Sequence, residues 1–328
     1  MNFFSYYGLF LAKTMTIVIA ILFILTLIIY AKSRKRKKSD TLQIIQLNKE
    51  YQKIKESLLL SKLEIYEKKI FLKKIKKETK KNKKILQKTP KPTLYVLDFR
   101  GGINAEEVES LRKEISAILS VFQKNDQVLL RLESSGGVVH GYGLAASQLQ
   151  RLRDNKLHLI ITVDKIAASG GYLMACVANN LIAAPFAIIG SIGVVAQIPN
   201  FHRFLKRNNI DIELHTAGEY KRTLTMFGEN TDSNRKKFVE NLEQTHQLFK
   251  NFVYKMRPQL NMEEVATGEY WFGKQAFEKG LVDSLKTSDD VILSKLSDFN
   301  IIKIRYFKRK RMIDRFIYNI EKCYKYFI

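Results

Sequence analysis

Val163-Asp164-Lys165-Ile166-Ala167-Ala168-Ser169-Gly170-Gly171-Tyr172 is the stretch that decides the fold. The apolar run 157–163 leads into it as a buried strand, and small residues around one serine follow. Alanine and glycine on both sides let other backbone approach a hydroxyl carried on a tight strand-to-helix turn. The pattern is not Gly-x-Ser-x-Gly, because Ala167 stands where the first glycine would be. Close packing accounts for such a segment as readily as chemistry does, so the rest of the chain has to decide.

Working outward, strand and helix patterns alternate. Residues 94–99 read as a buried strand, 105–122 as an amphipathic helix, and 127–132 as a second strand ending in Glu133-Ser134-Ser135-Gly136-Gly137. A helix over 142–153 leads to the strand before Ser169. A buried helix is predicted over 172–178, a strand over 181–186, a helix over 200–207 and a strand over 211–215. A long helix over 233–256 follows, and short helical pieces over 282–296 close an α/β domain. Two strands thus end in glycine pairs, Gly136-Gly137 and Gly170-Gly171, whose amides can converge on a developing oxyanion. Phosphate binding is the rival use of such turns, but neither Walker spacing nor Gly-x-Gly-x-x-Gly is present.

Upstream, Thr89-Pro90-Lys91-Pro92 marks the start of this domain, taken as 92–300. Residues 32–91 form a basic helical connector, with 22 Lys+Arg and 6 Asp+Glu, a local charge of +16 out of +24. The global charge therefore says little about the α/β domain. Ile44, Tyr51, Leu58, Ile65 and Leu72 recur every seven residues, while the second seam, Leu47, Ile54, Ser61, Lys68 and Ile75, is only half apolar. No nucleic-acid fold accompanies the charge, so nucleic acid is not an expected partner. Anionic lipid beside an anchor explains it more simply. That anchor is 8–31: residues 15–31 are uncharged, and the whole segment of 24 residues covers ~30 Å of hydrocarbon at ~1.5 Å per residue. No small-x-small cleavage site follows it. Arg34-Lys35-Arg36-Lys37-Lys38 then places the following domain in the cytoplasm by the positive-inside rule. Residues 301–328 form a basic, aromatic tail in which Ile313, Phe316, Ile317, Ile320, Tyr324 and Phe327 share a helical face. That face suits a membrane surface or packing on the domain.

Neither Cys176 nor Cys323 offers a disulfide framework or zinc spacing, and no metal or cofactor is expected. For a base that activates Ser169 the residues leave alternatives open. His140 follows the Gly136-Gly137 turn, Lys221 lies in the Gly-containing loop Ala217-Gly218-Glu219-Tyr220-Lys221-Arg222, and Lys165 sits on the strand before Ser169. A lysine base has to be neutral, which calls for desolvation.

Four segments in order, 132–143, 163–172, Gly190-Ser191-Ile192-Gly193-Val194 and 218–221, together resemble the signal peptide peptidase A family, in particular its membrane-anchored branch. The likeness runs almost from end to end, with only the connector and the last fifteen or so residues divergent. It implies a Ser-Lys peptidase on the fold shared by Clp protease and crotonases. By this resemblance Ser169 is the nucleophile, Lys221 the general base and Ser191 the group that orients the lysine. The oxyanion hole is then the amide of Gly170 with that of Gly137 or Gly136. Peptides or proteins become the expected substrates, cleaved through an acyl-enzyme at the bacterial cell inner membrane. Family analogy implies a periplasmic catalytic domain, against the charge rule. A homo-oligomer with sites shared between protomers is also implied. The family commonly has Ser-Pro-Gly-Gly where this chain has Ser134-Ser135-Gly136-Gly137, which frees one φ angle and removes no catalytic group. A catalytically silent oligomeric membrane scaffold and acyl-CoA chemistry are the alternatives. The paired Ser169 and Lys221 motifs argue against the first, and the anchor against the second.

Overall fold

The computed structural model describes residues 2–34, 41–64, 66–71, 73–74 and 91–307. Helix α1 (Asn2–Arg34) belongs to one unit and is described by itself. Its segment Tyr6–Thr26 is long and apolar enough to cross a membrane, with its side chains exposed. The hydroxyls of Thr16 and Thr26 donate to carbonyls of the preceding turn, Ala12 at 2.9 Å and Phe23 at 2.7 Å. Satisfying those hydroxyls within the helix lowers the cost of placing them in hydrocarbon.

The second unit, Leu42–Tyr306, is built on one sheet. In chain order its elements are β1 (Thr41–Gln46), α2 (Leu47–Ser61), β2 (Thr93–Gly101), α3 (Val108–Leu119), β3 (Gln127–Ser134), α4 (Val139–Asp154), β4 (His158–Val163), β5 (Ile166–Ala168), α5 (Gly170–Ala175) and β6 (Asn180–Ala183). There follow β7 (Ile188–Gly190), α6 (His202–Arg207), α7 (Asp232–Met256), α8 (Met262–Val265), β8 (Tyr270–Phe272), α9 (Gly273–Glu278), β9 (Ser284–Leu285), α10 (Ser288–Lys295) and β10 (Asn300–Phe307). The main strand order is β1-β10-β2-β3-β4-β6-β9, and a branch runs from β3 to β5, β7 and β8. β10–β2, β2–β3, β3–β4, β3–β5, β4–β6, β5–β7 and β6–β9 pair parallel, and β7–β8 antiparallel.

Parallel strands covered on both faces read as continuous apolar runs, and these do. Leu97, Phe99, Leu130, Leu132, Ile161 and Val163 pack on one face against α3, α4 and α5. Leu94, Val96, Leu129, Ile160 and Ile182 pack on the other with Leu47, Val291 and Ile292. The branch positions the site. β3 holds β4 through residues 127–131, but its last residue, Ser134, pairs with Ala167 of β5. The sheet branches there, at the carboxyl ends of the strands, where α/β folds place their ligands.

Three expectations are corrected. Residues 211–215 form no strand: Ile212 and Leu214 alternate as a strand requires, yet no described residue pairs with them and they stay about half exposed. Residues 41–46 of the expected helical connector are strand β1, and Ile44 is therefore not part of a helical seam. The β-branched residues Thr41, Ile44 and Ile45 favour this, and Ile45 packs on the second core. The connector is helical in α2 and again over residues 66–71 and 73–74. Finally, residues 301–307 of the expected tail lie in β10, whose Ile301 and Ile304 are buried. The compact unit is therefore wider at both ends than 92–300. The amphipathic face read over 313–327 and the side chains of Ile65 and Leu72 lie outside the described residues.

Candidate active site

Ser169 joins β5 to α5 with φ 51° and ψ −121°, a conformation that costs a non-glycine residue ~1–3 kcal/mol. Its surroundings hold it there. Its N–H donates to Gly190 O at 2.8 Å, its carbonyl accepts from Leu173 N at 3.0 Å, and Ala168 is in register with Gly190. The small residues are demanded by contact. A Cβ on Gly171 would lie 2.4 Å from Ser134 O, and one on Gly170 2.5 Å from the Tyr142 ring. Gly136, with φ +90°, passes so close that its Cβ would lie 2.7 Å from Gly170 N and 2.9 Å from Ser169 Cβ. The two glycine pairs are therefore packed against each other, with Ser169 partly exposed between them.

The amides of this region are not equivalent. Gly136 N donates to Ser134 Oγ at 3.1 Å, and Val138 N to Ile103 O at 2.9 Å. Gly137, exposed between them, has no acceptor for its N–H among the described residues. Gly170 opens α5, and first-turn amides have no intrahelical partner. Two free N–H groups thus flank one hydroxyl, the donor arrangement that acyl transfer uses.

Ser191 follows β7 beside this turn, also at φ 51°, with its N–H donating to Glu269 O at 2.6 Å. His246, on α7, contacts Ile192 O through Nε2 at 3.1 Å and so braces the Ser191 loop. Spacing gave no hint of that role, because 54 residues separate the two. Lys221 is exposed in the loop after Gly218, and among the described residues no hydrogen bond or ion pair joins it to Ser169 or Ser191. Val195, Phe204, Ile210, Ile212, Leu214 and Phe227 are exposed on the same segment. Of the other candidate bases, His140 is exposed at the start of α4, and Lys165 is held by Glu133 at 3.1 Å. Cys176 is no rival nucleophile: burial pushes its thiol up to about 12.

The turn is braced from behind. Tyr172 donates its hydroxyl to Leu281 O at 3.0 Å, and Arg257, 3% exposed, forks onto Asp283 at 2.6 and 3.2 Å.

Comparison with known proteins gives the family of the chain. Residues 2–149 match the model for the N-terminal part of peptidase family S49, and residues 151–301 match the model for peptidase family S49 itself. The chain is 54% identical over 321 residues to "Probable protease SohB" of Buchnera aphidicola subsp. Schizaphis graminum, covering 96% of this chain and 94% of that one. It is 47% identical over 320 residues to "Probable protease SohB" of Haemophilus influenzae, covering 94% and 91%. A more distant relative is the chloroplastic "Serine protease SPPA" of Arabidopsis thaliana, 28% identical over 183 residues, or 55% of this chain and 26% of that one. With both glycine pairs, the strained serine and its braces inside the matched span, the chain belongs to peptidase family S49.

Proposed function

We propose that this chain is a membrane-anchored serine endopeptidase working through a Ser-Lys dyad on a Clp protease/crotonase-like arrangement of strand-helix units. The observation that carries this reading is Ser169 at positive φ between the free amides of Gly137 and Gly170. Ser169 Oγ bonds to the carbonyl carbon while its proton passes to the neutral amine of Lys221. The amide-derived oxygen takes the negative charge in the Gly137–Gly170 hole. Collapse breaks the C–N bond, and the lysine returns the proton to the leaving amine. Water, deprotonated by the same lysine, then bonds to the acyl carbon; the ester bond to Ser169 Oγ breaks, and the lysine returns the proton to Ser169. Ser191 orients the amine.

Lys221 is exposed within one chain, whereas a lysine base works desolvated. The exposed apolar residues around it on 195–227 support a homo-oligomer in which a neighbouring copy covers this segment and sites are shared. The apolar segment of α1 supports anchoring in the bacterial inner membrane. Arg34–Lys38 supports a cytoplasmic catalytic unit, against the periplasmic side implied by family resemblance, and a C-terminal reporter fusion decides between them.

Labelling by a fluorophosphonate probe tests the chemistry. Wild type is expected to label, Ser169→Ala not at all, and Lys221→Ala far more slowly. A well-folded wild type that fails to label even at alkaline pH refutes the peptidase reading and leaves the silent scaffold.

A further inference from the structure

Behind the glycine loop lies a buried pair of hydroxyls. Tyr142 on α4 is 0% exposed and Ser134 at the end of β3 is 2% exposed. Tyr142 donates to Gly102 O at 2.8 Å. Each hydroxyl has one proton, so with Tyr142 committed to Gly102 O the short contact with Tyr142 Oη is donated by Ser134, and Gly101 O, 3.2 Å from Ser134 Oγ, is then not served by that proton. The lone pairs left on Ser134 Oγ accept the Gly136 amide. The chain of donors is closed: Gly136 N–H to Ser134, Ser134 to Tyr142, Tyr142 to the carbonyl that ends β2. Burial raises the Tyr142 pKa, which keeps it a neutral donor.

The consequence reaches the site on both sides. With its N–H committed to Ser134, Gly136 cannot serve the oxyanion, and Gly137, exposed and with no acceptor among the described residues, is the loop amide left free. The other side of the Tyr142 ring backs Gly170 and fills the space in which a side chain there would lie. A tyrosine needed for packing alone requires no such hydroxyl.

We infer that Ser134 and Tyr142 are positioning residues for the reaction, setting the amides of Gly137 and Gly170 on a common acyl oxygen. This rests on the reading of Ser169 as nucleophile. It also resolves the choice between Gly136 and Gly137 in favour of Gly137.

The test uses the full-length protein in detergent micelles, as wild type, Tyr142→Phe, Ser134→Ala, the double variant and Ser169→Ala. Turnover is measured on a peptide ester and its thionoester, whose sulfur fits an oxyanion hole poorly. Amide exchange is followed over residues 134–139. The single variants are expected to lose about 10- to 100-fold in kcat with KM within about twofold. Their oxo-to-thiono rate ratio should fall several-fold, exchange at Gly136 should quicken about tenfold, and the double variant should be no worse than the poorer single. An unchanged oxo-to-thiono ratio, or unchanged exchange, overturns the inference whatever happens to melting temperature. If Tyr142→Phe fails to fold, Ser134→Ala, which removes one oxygen, carries the same comparison. If wild type shows no Ser169-dependent turnover, the nucleophile reading fails instead, and the exchange comparison alone then decides whether this pair holds the loop.

Discussion

Replacing Gly136 by alanine adds one methyl group to the most crowded point of the site. Ordinary contact for a Cβ begins near 3.4 Å, whereas here it meets Gly170 N at 2.7 Å, Ala168 O at 2.9 Å and Ser169 Cβ at 2.9 Å. The shortfalls are about 0.7, 0.5 and 0.5 Å, and all three atoms belong to the turn that carries Ser169. No flexible side-chain end is present to yield, so the turn and the glycine loop must separate by roughly that distance. Displacement on this scale costs about 10²-fold in rate, comparable with losing one oxyanion donor at ~3 kcal/mol. The φ of +90° adds about 1–2 kcal/mol of strain, or a melting temperature lower by roughly 2–8 °C. The expectation is therefore a kcat about 10²-fold lower, KM little changed, and slower fluorophosphonate labelling. Gly143→Ala on α4, where nothing lies within 4 Å of the new methyl, is the control and should be neutral or slightly stabilising. A Gly136→Ala enzyme with kcat within about threefold of wild type would refute the close approach on which the site is built.

Three further outcomes follow from groups outside the dyad. Glu114 is buried, and desolvation raises it to about 7 from 4.5 although Tyr306 N donates to it at 2.6 Å. The folded state thus keeps a proton that the unfolded chain releases, and stability falls as pH rises from about 4.5 to 7, by up to about 3 kcal/mol. Glu114→Gln should flatten this slope in urea titrations and stabilise at pH 8 but not at pH 4.5; equal gains at both would contradict the assignment. Asp283→Ala strands the buried Arg257 guanidinium and frees Leu181 N, and should cost about 3–5 kcal/mol. Adding Arg257→Met should recover part of that loss in thermal unfolding, and no recovery would count against an unpaired charge as its cause. His246→Phe removes the group bracing Ile192 O, and should lower kcat by roughly tenfold with little loss of stability. Unchanged kcat would make that histidine a packing residue.

What could be read in advance depended on how local the physics was. The strands over 94–99, 127–132 and 157–163 are apolar runs buried on both sides, so composition alone marks them. Residues 211–215 carry the same signal in weaker form and fail because a strand needs a neighbour, which one chain does not supply. Strand β1 was hidden by the lysines around it: a segment of net +16 reads as connector, although six of its residues close the sheet edge beside β10. Ser169 announced itself through the alanines and glycines that its packing requires. Lys221 did not stand out among 56 Lys+Arg and was singled out only by family resemblance.

By itself the sequence determined the apolar N-terminal segment, the alternating α/β pattern and the serine turn, because each follows from the character of adjacent residues. Only the tertiary structure decided which amides are free. Gly136 and Gly137 are the same residue type side by side, yet Ser134 Oγ accepts the N–H of the first, while the second is exposed without an acceptor among the described residues. That difference comes from Tyr142, which a separate helix brings to the ends of β2 and β3. The physical reason is that each hydroxyl has one proton to give. Where it goes depends on which acceptors the fold has brought within about 3 Å, a distance that spacing along the chain does not encode.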